Sequence, residues 1–192
     1  MQLPLFPLSS VVMPDGLMPL RLFERRYIDM VKDCFKSETG FGICLIKPRA
    51  EAEGNSEPYP LGTRVSIVDF DQGSDGLLHI VAKGEEEFSV LTYSFSESGL
   101  IVGEVEPLPP KPLTPMLPEY EMLAQKLELI LSYLETDVRF EEKHLDNADW
   151  VSHRLLEVLP LAGEAKFELL QMSTNQERLE ALSALQIEIA ER

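Results

Sequence analysis

Asp69, Asp71 and Asp75 are the residues whose type and spacing come closest to a metal site. They surround a glycine-containing turn, and regularly spaced carboxylates are what an EF-hand loop uses to bind Ca²⁺. Such a loop also requires a glycine at its sixth position and a glutamate at its twelfth. A loop that begins at Asp69 has serine and isoleucine there, and one that begins at Asp71 has glycine and alanine. Neither has the glutamate, so we interpret the aspartates as the acidic tip of a hairpin.

Other residue types with catalytic potential occur without the partners that catalysis needs. His79, His144 and His153 are neither four residues apart nor next to paired cysteines, so the sequence predicts no zinc site. The run Glu85-Glu86-Glu87 would point alternately to the two faces of a strand, and we interpret it as a solvated turn and edge. Ser9-Ser10 has no base at a fixed spacing that would activate a hydroxyl.

Sequence motifs for nucleotide binding and acyl transfer are also missing. The chain contains no G-x-x-x-x-G-K-[ST] loop, no G-x-G-x-x-G turn and no G-x-S-x-G elbow. Phosphate groups would therefore lack their usual backbone cradle, and a nucleophilic serine its usual strained turn. We predict that the protein is not an enzyme and that it binds no cofactor and no metal.

The composition is that of a folded, strongly acidic protein. The 192 residues are 44% hydrophobic and carry a net charge of −16, with 17 basic and 33 acidic residues. A surface of this kind repels phosphate backbones, which bind proteins through lysine and arginine. Nucleic acid and anionic membrane are therefore not expected as partners. No apolar run approaches the roughly 20 residues that cross a bilayer, and the first residues do not resemble a secretion signal.

The two cysteines, Cys34 and Cys44, fall in a predicted helix and a predicted buried strand. We expect both to act as small apolar residues of the core, although one disulfide between them remains an alternative. Buried cysteines in a chain without a secretion signal indicate the reducing cytoplasm.

Up to about residue 107 the apolar pattern is mostly that of strands. Phe41–Ile46 is apolar on both faces, as in a buried strand. Strands over 64–71 and 77–83 flank a hairpin turn, and strands over 88–95 and 100–105 follow. One helix interrupts them, with Ile28, Val31 and Phe35 at spacings of three and four, beside Tyr27, Met30 and Cys34. Strands of this length and spacing predict a barrel or a sandwich, against which the helix packs.

A proline-rich segment separates this part from a helical one. Six of the fourteen prolines lie between positions 107 and 118, where they prevent a central strand or a continuous helix. We predict a β-rich part over 1–110, a connector over 111–118 and a small helical bundle over 119–192. Thr174 and Glu177 have the spacing of a capping box for the last helix. The apolar positions of the four predicted helices are Leu123, Leu127, Ile130, Leu131 and Leu134; Trp150, Val151, Leu155 and Leu159; Phe167 and Leu170; and Leu179, Leu182, Leu185 and Ile189.

Two stretches of the chain resemble the amino-terminal, substrate-binding domain of Lon-type ATP-dependent proteases. The first is Leu3-Pro-Leu-Phe-Pro-Leu8, followed by Val11-Val-Met-Pro-Asp-Gly16 and by Pro19-Leu-Arg-Leu-Phe-Glu-Arg-Arg-Tyr27, which is similar to the family's P-L-x-I-F-E-x-R-Y segment. The second comprises three segments, Asp149 to Leu159, Phe167-Glu-Leu-Leu170 and Glu177-Arg-Leu179, which look like the family's helix series leading to its E-R-L helix. The chain departs from the family at Gly84-Glu-Glu-Glu-Phe88, because Glu87 stands where G-x-x-R-F has its arginine.

The resemblance implies an α+β fold, with a β pseudo-barrel of the PUA-like kind, one packed helix and a C-terminal helical bundle. It also implies a stand-alone bacterial relative of the Lon recognition domain, since the ATPase and peptidase modules are absent from these residues. The family motif does not identify a binding site. We expect its residues to be mainly structural, with Phe23 and Tyr27 filling the core from one side of a helix and Arg25 and Arg26 solvated; the motif positions concerned are Pro19, Leu20, Phe23, Glu24, Arg26 and Tyr27.

The function that follows is non-catalytic binding of unfolded or flexible polypeptide, or of a protein partner, as a cytoplasmic module connected with proteolysis and protein quality control. We expect a surface groove that captures exposed apolar segments. Two alternatives belong to other classes. One is RNA or nucleotide binding, which only the PUA-like resemblance favours and the net charge opposes. The other is a small hydrolase with a site that no motif reveals.

Overall fold

Strands and helices follow each other along the chain in two blocks. The computed structural model describes residues 1–37, 39–47, 57–134 and 143–185, and these belong to two units, Met1–Pro109 and Pro110–Arg192. The first unit contains strands β1 (Gln2–Leu8), β2 (Leu17–Leu22), β3 (Phe41–Ile46), β4 (Pro58–Gln72), β5 (Leu78–Phe95) and β6 (Ile101–Pro107), with helix α1 (Arg25–Ser37) between β2 and β3. The second contains a 3₁₀ turn (Pro118–Tyr120) and helices α2 (Glu121–Tyr133), α3 (Ala148–Val158), α4 (Gly163–Leu170) and α5 (Asn175–Ala184).

The six strands form one mixed sheet that closes on itself. The strand order is β2-β5-β4-β3-β1-β6, and β6 also pairs with β5. The strands β5, β4, β3, β1 and β6 therefore make a ring, and β2 is added to β5 outside it. β1 and β3 are parallel and the other pairs are antiparallel. Closure depends on the 18-residue length of β5, because its first half pairs with β2 and its last part with β6.

The expectation of two separate strands over 77–83 and 88–95 was wrong, since both are parts of β5. Gly84 lies at the point where they join. Its N–H donates to the carbonyl of Gly16 at 2.8 Å, and its carbonyl accepts from the N–H of Asp15 at 2.9 Å. A Cβ at this position would lie 2.1 Å from the carbonyl oxygen of Met13. Because Gly84 has no side chain, the turn before β2 can approach β5 closely and form the hydrogen bonds that a neighbouring strand would otherwise form here.

The interior of the ring is filled by two large side chains that lie against glycines. Leu5 and Phe88 are both fully buried. A Cβ at Gly42 or Gly62 would lie within 2.7 Å of the ring of Phe88, and one at Gly103 would lie 2.7 Å from Leu5. A ring of five strands encloses little space. Leu5 and Phe88 therefore fit only because the strands around them have glycine at these positions. Ile101, Val105, Leu3 and Cys44 complete this core.

The helix α1 covers the other side of the sheet. It begins after Glu24, whose carbonyl accepts from the N–H groups of Tyr27 and Ile28 at 3.1 and 3.2 Å. Its buried residues are Tyr27, Met30, Val31 and Cys34, which pack with Phe6, Phe41, Ile43, Val65 and Ile80 of the strands. The predicted helix is confirmed. All four buried residues are among the apolar positions that the sequence indicated for this helix, whereas Ile28 is only partly buried and Phe35 is exposed.

In the second unit α3 packs against both α2 and α5. Trp150, Val151, Leu155 and Leu159 are buried as predicted, and α3 ends before Pro160. The capping box is confirmed, because Thr174 Oγ1 accepts from the N–H of Glu177 at 3.1 Å and the Glu177 carboxylate accepts from the N–H of Thr174. The expected inward positions of Leu134 and Leu185 were wrong, since both are exposed; Ile189 lies outside the described residues. No helix in the described part of the chain has the length and apolar character that a membrane crossing requires.

Candidate polypeptide-binding surface

The end of β5 exposes three large apolar side chains in five residues. Leu91, Tyr93 and Phe95 are 57%, 38% and 58% exposed, and the rings of Tyr93 and Phe95 meet edge to face with centroids 5.9 Å apart. Tyr93 pairs with Gly103 and Phe95 with Ile101 across the β5–β6 ladder. Paired residues share a face of a sheet, so Tyr93 and Phe95 lie on the same face as the core residue Ile101. Their side chains therefore extend outward from the apolar core that the strands enclose. We call these three residues the β5–β6 surface.

The backbone of this surface is open on one side. Across the hairpin the N–H of Ser96 donates to the carbonyl of Leu100 at 2.8 Å, and the carbonyl of Val105 accepts from the Met1 amino group on the opposite side of β6. Hydrogen-bonded and non-bonded pairs alternate in an antiparallel ladder, so the N–H and C=O groups of Tyr93 and Phe95 point away from β6. Among the described residues, β4 pairs with β5 only as far as Ser89. The β5–β6 surface therefore combines exposed apolar side chains with a strand edge that no other described strand pairs with.

The segment that carries this surface is strongly acidic. From Gly84 to Pro107 the chain has six glutamates and no lysine or arginine. Glu104 is exposed and pairs with Thr92, which puts its carboxylate on the face opposite the two aromatic rings. The two aromatic rings therefore lie on one face of the hairpin and the carboxylate of Glu104 lies on the other.

A second apolar cluster lies beside α1. The rings of Phe35 and Phe70 meet with centroids 4.9 Å apart at 67°, and both side chains are exposed. Val68 occupies the bulge that shifts the β4–β5 register between Ile67 and Asp69 and is also exposed. Phe70 pairs with the buried Ile80, so this cluster is the outer end of the core under α1.

The aspartates at the β4–β5 hairpin hold the turn. Asp75 accepts from the N–H of Leu77 at 2.9 Å, forms an ion pair of 2.6 Å with Arg21 and lies 3.4 Å from Nε2 of His79. The hydrogen bond from Leu77 is the main reason that the pKa of Asp75 lies below its ordinary value, with His79 and Arg21 adding to it. Asp69 and Asp71 each accept from the N–H of the following residue.

These contacts agree with the interpretation as an acidic hairpin tip. In the described ranges no three His, Cys, Asp or Glu side chains are arranged to hold a metal ion.

The three glutamates after Gly84 are not in a turn, so that part of the interpretation was wrong. Arg64 binds Glu85 and Glu86 together, with nitrogen–oxygen distances of 2.7 Å to each. Neighbouring strand residues normally point to opposite faces, but the β4–β5 register shifts between Arg64 and Val65. The bulge brings both carboxylates to one guanidinium, which makes them a structural ion-pair group within the sheet.

The thiols do not form a reactive site. Cys34 and Cys44 are free and buried, as predicted. Burial raises the pKa of Cys34 above its ordinary value and that of Cys44 to about 12. Because only the thiolate is a nucleophile, both act as small core residues near neutral pH.

The chain matches the model of the "ATP-dependent protease La (LON) substrate-binding domain" over residues 2–185. It belongs to the Lon substrate-binding domain family. A crystal structure of a Lon N-terminal domain protein from Xanthomonas campestris is 40% identical, with a TM-score of 0.76 over 96% of this chain and 98% of that one. The Lon fold is also shared with the N-terminal domain of the Mycobacterium avium complex Lon protease, at 15% identity and a TM-score of 0.64 over 97% of this chain and all of that one.

A Lon protease of Anaeromyxobacter dehalogenans is 32% identical over 92 residues, which are 46% of this chain and 11% of that protein. The chain thus spans a small fraction of the length of this curated relative. Both stretches that carry the resemblance fall within the matched residues 2–185.

The residues of the first Lon motif are not among the three of the β5–β6 surface, although Arg26 contacts Gly99 in the turn of the same hairpin. Tyr27 is buried and stacks on Phe6 with ring centroids 3.9 Å apart. Leu20 packs partly buried against the same core. Pro19 is exposed in β2, whose only partner among the described strands is β5, and an edge strand is where a proline is tolerated.

The expected burial of Phe23 was wrong, since its side chain is 74% exposed. β2 ends at Leu22 and α1 begins at Arg25, so Phe23 precedes the helix. The four-residue spacing therefore does not put its side chain on the same helix face as Tyr27. Arg26 was expected to be solvated, and this was also wrong. It donates to the carbonyl of Gly99 at 2.8 Å, forms an ion pair of 2.8 Å with Glu24 and lies over the Tyr27 ring at 4.7 Å.

The second Lon motif forms a buried polar network in the second unit. Asp149 accepts from the N–H of Thr114 and, at 2.9 Å, from the side-chain amide of Asn175. Asn175 in turn accepts from Arg178, whose Nε donates to the carbonyl of Leu169, both at 3.0 Å. Arg178 is fully buried. These polar contacts hold α5, the helix with the E-R-L residues, to the start of α3. The second motif therefore has a structural role.

His153 and Arg154 lie on the same helix. Arg154 is fully buried, binds Glu157 at 2.7 Å and lies over the Trp150 ring at 5.7 Å. Burial lowers the pKa of His153 to about 3, and the positive charges of Arg178, Arg154 and Lys111 act in the same direction. The imidazole is therefore neutral at physiological pH.

Sequence reasoning did not find the β5–β6 surface. Leu91, Tyr93 and Phe95 lie in a strand-like apolar run, and such a run normally predicts core. The signal that was available is the charge of the segment, because six glutamates without a basic residue distinguish 84–107 from the rest of the β-rich part.

Proposed function

We propose that this protein is a non-catalytic module that binds exposed apolar segments of other polypeptides, and that they bind at the β5–β6 surface. The observation that carries the proposal is the exposure of Leu91, Tyr93 and Phe95 next to one another on one strand. Large apolar side chains that cluster on a surface mark interaction sites in soluble proteins. Membership of the Lon substrate-binding domain family supports the same class of ligand.

Charge selects among the apolar segments. The net charge of −16 and the six glutamates of 84–107 favour segments that also carry lysine or arginine. The same field disfavours RNA and anionic membranes, whose phosphates would be repelled. The ligands that we propose are therefore unfolded or flexible polypeptides with mixed apolar and basic residues, as protein quality control would supply.

The finer features of the fold belong to the same proposal. We interpret the closed ring of strands as a PUA-like pseudo-barrel, the second unit as a small helical bundle, and 111–118 as the connector between them. We also propose that the protein works in a reducing cytoplasm, which the two free, buried thiols support. We propose no reaction for the module, since its sequence contains no catalytic motif together with the partner residues that such a motif needs.

Fluorescence anisotropy with two labelled peptides of equal hydrophobicity, one basic and one acidic, tests the proposal. At 0.01 M salt the Debye length is about 30 Å and at 0.15 M about 8 Å, so we expect the basic peptide to bind tighter and its advantage to shrink as salt rises. Apolar burial should leave a residual affinity in the micromolar range, or about −8 kcal/mol. Tighter binding of the acidic peptide at low salt would contradict the charge argument.

Variants locate the site. Leu91→Ser with Phe95→Ser should weaken binding of the basic peptide at least about tenfold, because both side chains are large and their burial on binding would be lost. Phe23→Ser is the matched control, since it removes an even more exposed aromatic ring outside the β5–β6 surface. Loss of binding in the control with retention in the double variant would move the site away from β5.

A further inference from the structure

The structure assigns a binding mode to the β5–β6 surface: an extended polypeptide with alternating apolar and basic residues adds to the free edge of β5 as a further strand. This inference rests on the proposed function, and it names the conformation and the sequence pattern of the ligand. The juxtaposition that carries it is a free strand edge with aromatic residues on one face and a glutamate on the other.

The edge offers a defined set of backbone groups. The N–H and C=O groups of Tyr93 and Phe95 point away from β6, as the ladder alternation requires. An antiparallel strand placed along this edge would gain two donors and two acceptors from these two residues. Unpaired edge groups of this kind are the template for strand addition.

The contrast with the other free edge of the sheet supports the assignment. β2 is the terminal strand in the described sheet and carries Pro19 and Arg21. Proline and charge on an edge strand are features by which proteins prevent unwanted strand pairing. Residues 91–95, Leu-Thr-Tyr-Ser-Phe, contain neither a proline nor a charge. Strand addition is therefore disfavoured at the edge formed by β2 and possible at the edge formed by residues 91–95 of β5.

The two faces of the hairpin determine which side chains an added strand would carry. Ligand residues directly opposite Tyr93 and Phe95 would lie on the same face as the aromatic rings, so apolar side chains fit there. The ligand residues between them would lie on the face of Thr92, whose partner in the ladder is Glu104. Two strand spacings separate Glu104 from the added strand, about 10 Å. A long lysine or arginine side chain on the ligand can span that distance toward the carboxylate, whereas a ligand glutamate would be repelled.

A heptapeptide of alternating valine and lysine, labelled with fluorescein, is the probe for the full chain. In the proposed register the valine N–H groups face β5 and the lysine N–H groups face solvent. Methylation of the valine nitrogens should lower the affinity at least about tenfold, since hydrogen bonds to the edge are lost. Methylation of the lysine nitrogens is the matched control and should change the affinity less than about twofold.

Protein variants test the same geometry from the other side. Tyr93→Ala removes the ring and keeps the backbone donor, whereas Tyr93→Pro also removes the N–H. We expect Tyr93→Pro to bind the valine–lysine peptide at least about fivefold more weakly than Tyr93→Ala, with folding checked by circular dichroism. Glu104→Gln should weaken the valine–lysine peptide at low salt and leave a valine–serine peptide unchanged.

The possible outcomes separate this inference from the proposed function. Equal binding of all methylated peptides, with weakening by Tyr93→Ala, would overturn strand addition and support capture by side chains alone. Absence of peptide binding would overturn strand addition too, and binding of a permanently unfolded protein would then decide on the proposed function by itself. Light scattering that detects a dimer abolished by Tyr93→Pro, with no peptide binding, would assign the edge to a second copy of the chain.

Discussion

Adjacent residues of the Lon motif differ in what they contribute to the folded state. In the described part of the chain, Arg25 is exposed and its ion-pair partner is Asp29 on the next turn of α1, whereas Arg26 is mostly buried between Glu24, Gly99 and the Tyr27 ring. Arg26 is thus the one that ties the start of α1 to the β5–β6 hairpin. The motif keeps these two segments of the first unit together, and this explains its sequence without a ligand.

Arg26→Ala should lower the free energy of unfolding by about 1.5–3 kcal/mol, because a charged hydrogen bond to the Gly99 carbonyl is lost. Arg25→Ala is the matched control and should cost at most about 0.5 kcal/mol, the typical value of an exposed pair four residues apart on a helix. Urea denaturation measures both. Equal losses would contradict the different roles of the two arginines.

Phe23 and Tyr27 give a second matched pair. Tyr27→Ala should cost about 3–5 kcal/mol, since a buried ring stacked on Phe6 is removed from the core. Phe23→Ala should change the free energy of unfolding by less than about 0.5 kcal/mol, as expected for an exposed side chain. A cost of several kcal/mol for Phe23→Ala would mean that this ring is covered in solution.

His153 should make stability depend on pH. Its pKa in the folded protein is about 3, below the ordinary value of about 6.5, so between these values the unfolded chain binds a proton that the folded chain does not. Stability is therefore lost as pH falls from 6.5 toward 3, by up to about 1.4 kcal/mol per pH unit. His153→Gln should remove this component, which urea denaturation at several pH values would detect as a shallower slope. An unchanged slope would contradict the buried, neutral imidazole.

At the scale of elements, β5 is the strand on which the first unit depends. It pairs with β2, β4 and β6, accepts the turn at Gly84, and carries both the core residue Phe88 and the proposed binding edge. The proposed site is therefore built on the strand with the most pairing partners, and within the described sheet the last part of that strand pairs with β6 alone. A rigid, pre-organised edge loses little conformational entropy when a ligand binds.

The glycines inside the ring provide a test of its packing. Gly62→Ala would place a Cβ 2.5 Å from the backbone oxygen of Ile43, whereas the nearest atom at Gly103 is the side-chain end of Leu5 at 2.7 Å. Backbone yields less easily than a side chain. We expect Gly62→Ala to cost about 1–3 kcal/mol and Gly103→Ala to cost less, as thermal unfolding would measure. The reverse order would contradict the closed ring.

The elements differ in how far the sequence predicted them. The α1 helix, the strand Phe41–Ile46, the helix α3 and the capping box at Thr174 all follow from local spacing, and local spacing is present in the sequence. The continuity of β5 through Glu85-Glu86-Glu87 depends on Arg64, some twenty residues away, and on a bulge that brings two carboxylates to it. The exposure of Tyr93 and Phe95 depends on which strand lies beside them. Such non-local facts have no local signal.

At the scale of the whole molecule, the boundary between the two units falls at Pro109 and Pro110, inside the proline-rich segment. Leu113 is 88% exposed, whereas the N–H of Thr114 donates to both oxygens of Asp149 at 3.2 Å. Part of this segment is therefore accessible and part of it is attached to α3.

We predict that limited proteolysis cuts first between about residues 108 and 116. Asp149→Ala should make that cut faster, because it removes the hydrogen bonds that hold Thr114. Mass spectrometry of early fragments measures both effects. A first cut within 123–134 would contradict the two-part organisation, and an unchanged rate in the variant would contradict the role of Asp149.

The pairing of β1 with β6 joins Gln2 to Glu104 and has a consequence for how the protein is made. At about 5–20 residues per second, translation of the intervening segment takes about 5–20 s. During that time the ring of strands cannot close, and Leu5 is not yet covered by β6. A nascent chain of this protein is therefore itself an apolar, extended polypeptide of the class that the finished molecule is proposed to bind. The charge of the nascent chain disfavours its binding to a finished copy. Six residues of the hairpin over 84–107, which emerges late, are glutamates, and the negative charge of a finished copy would repel them.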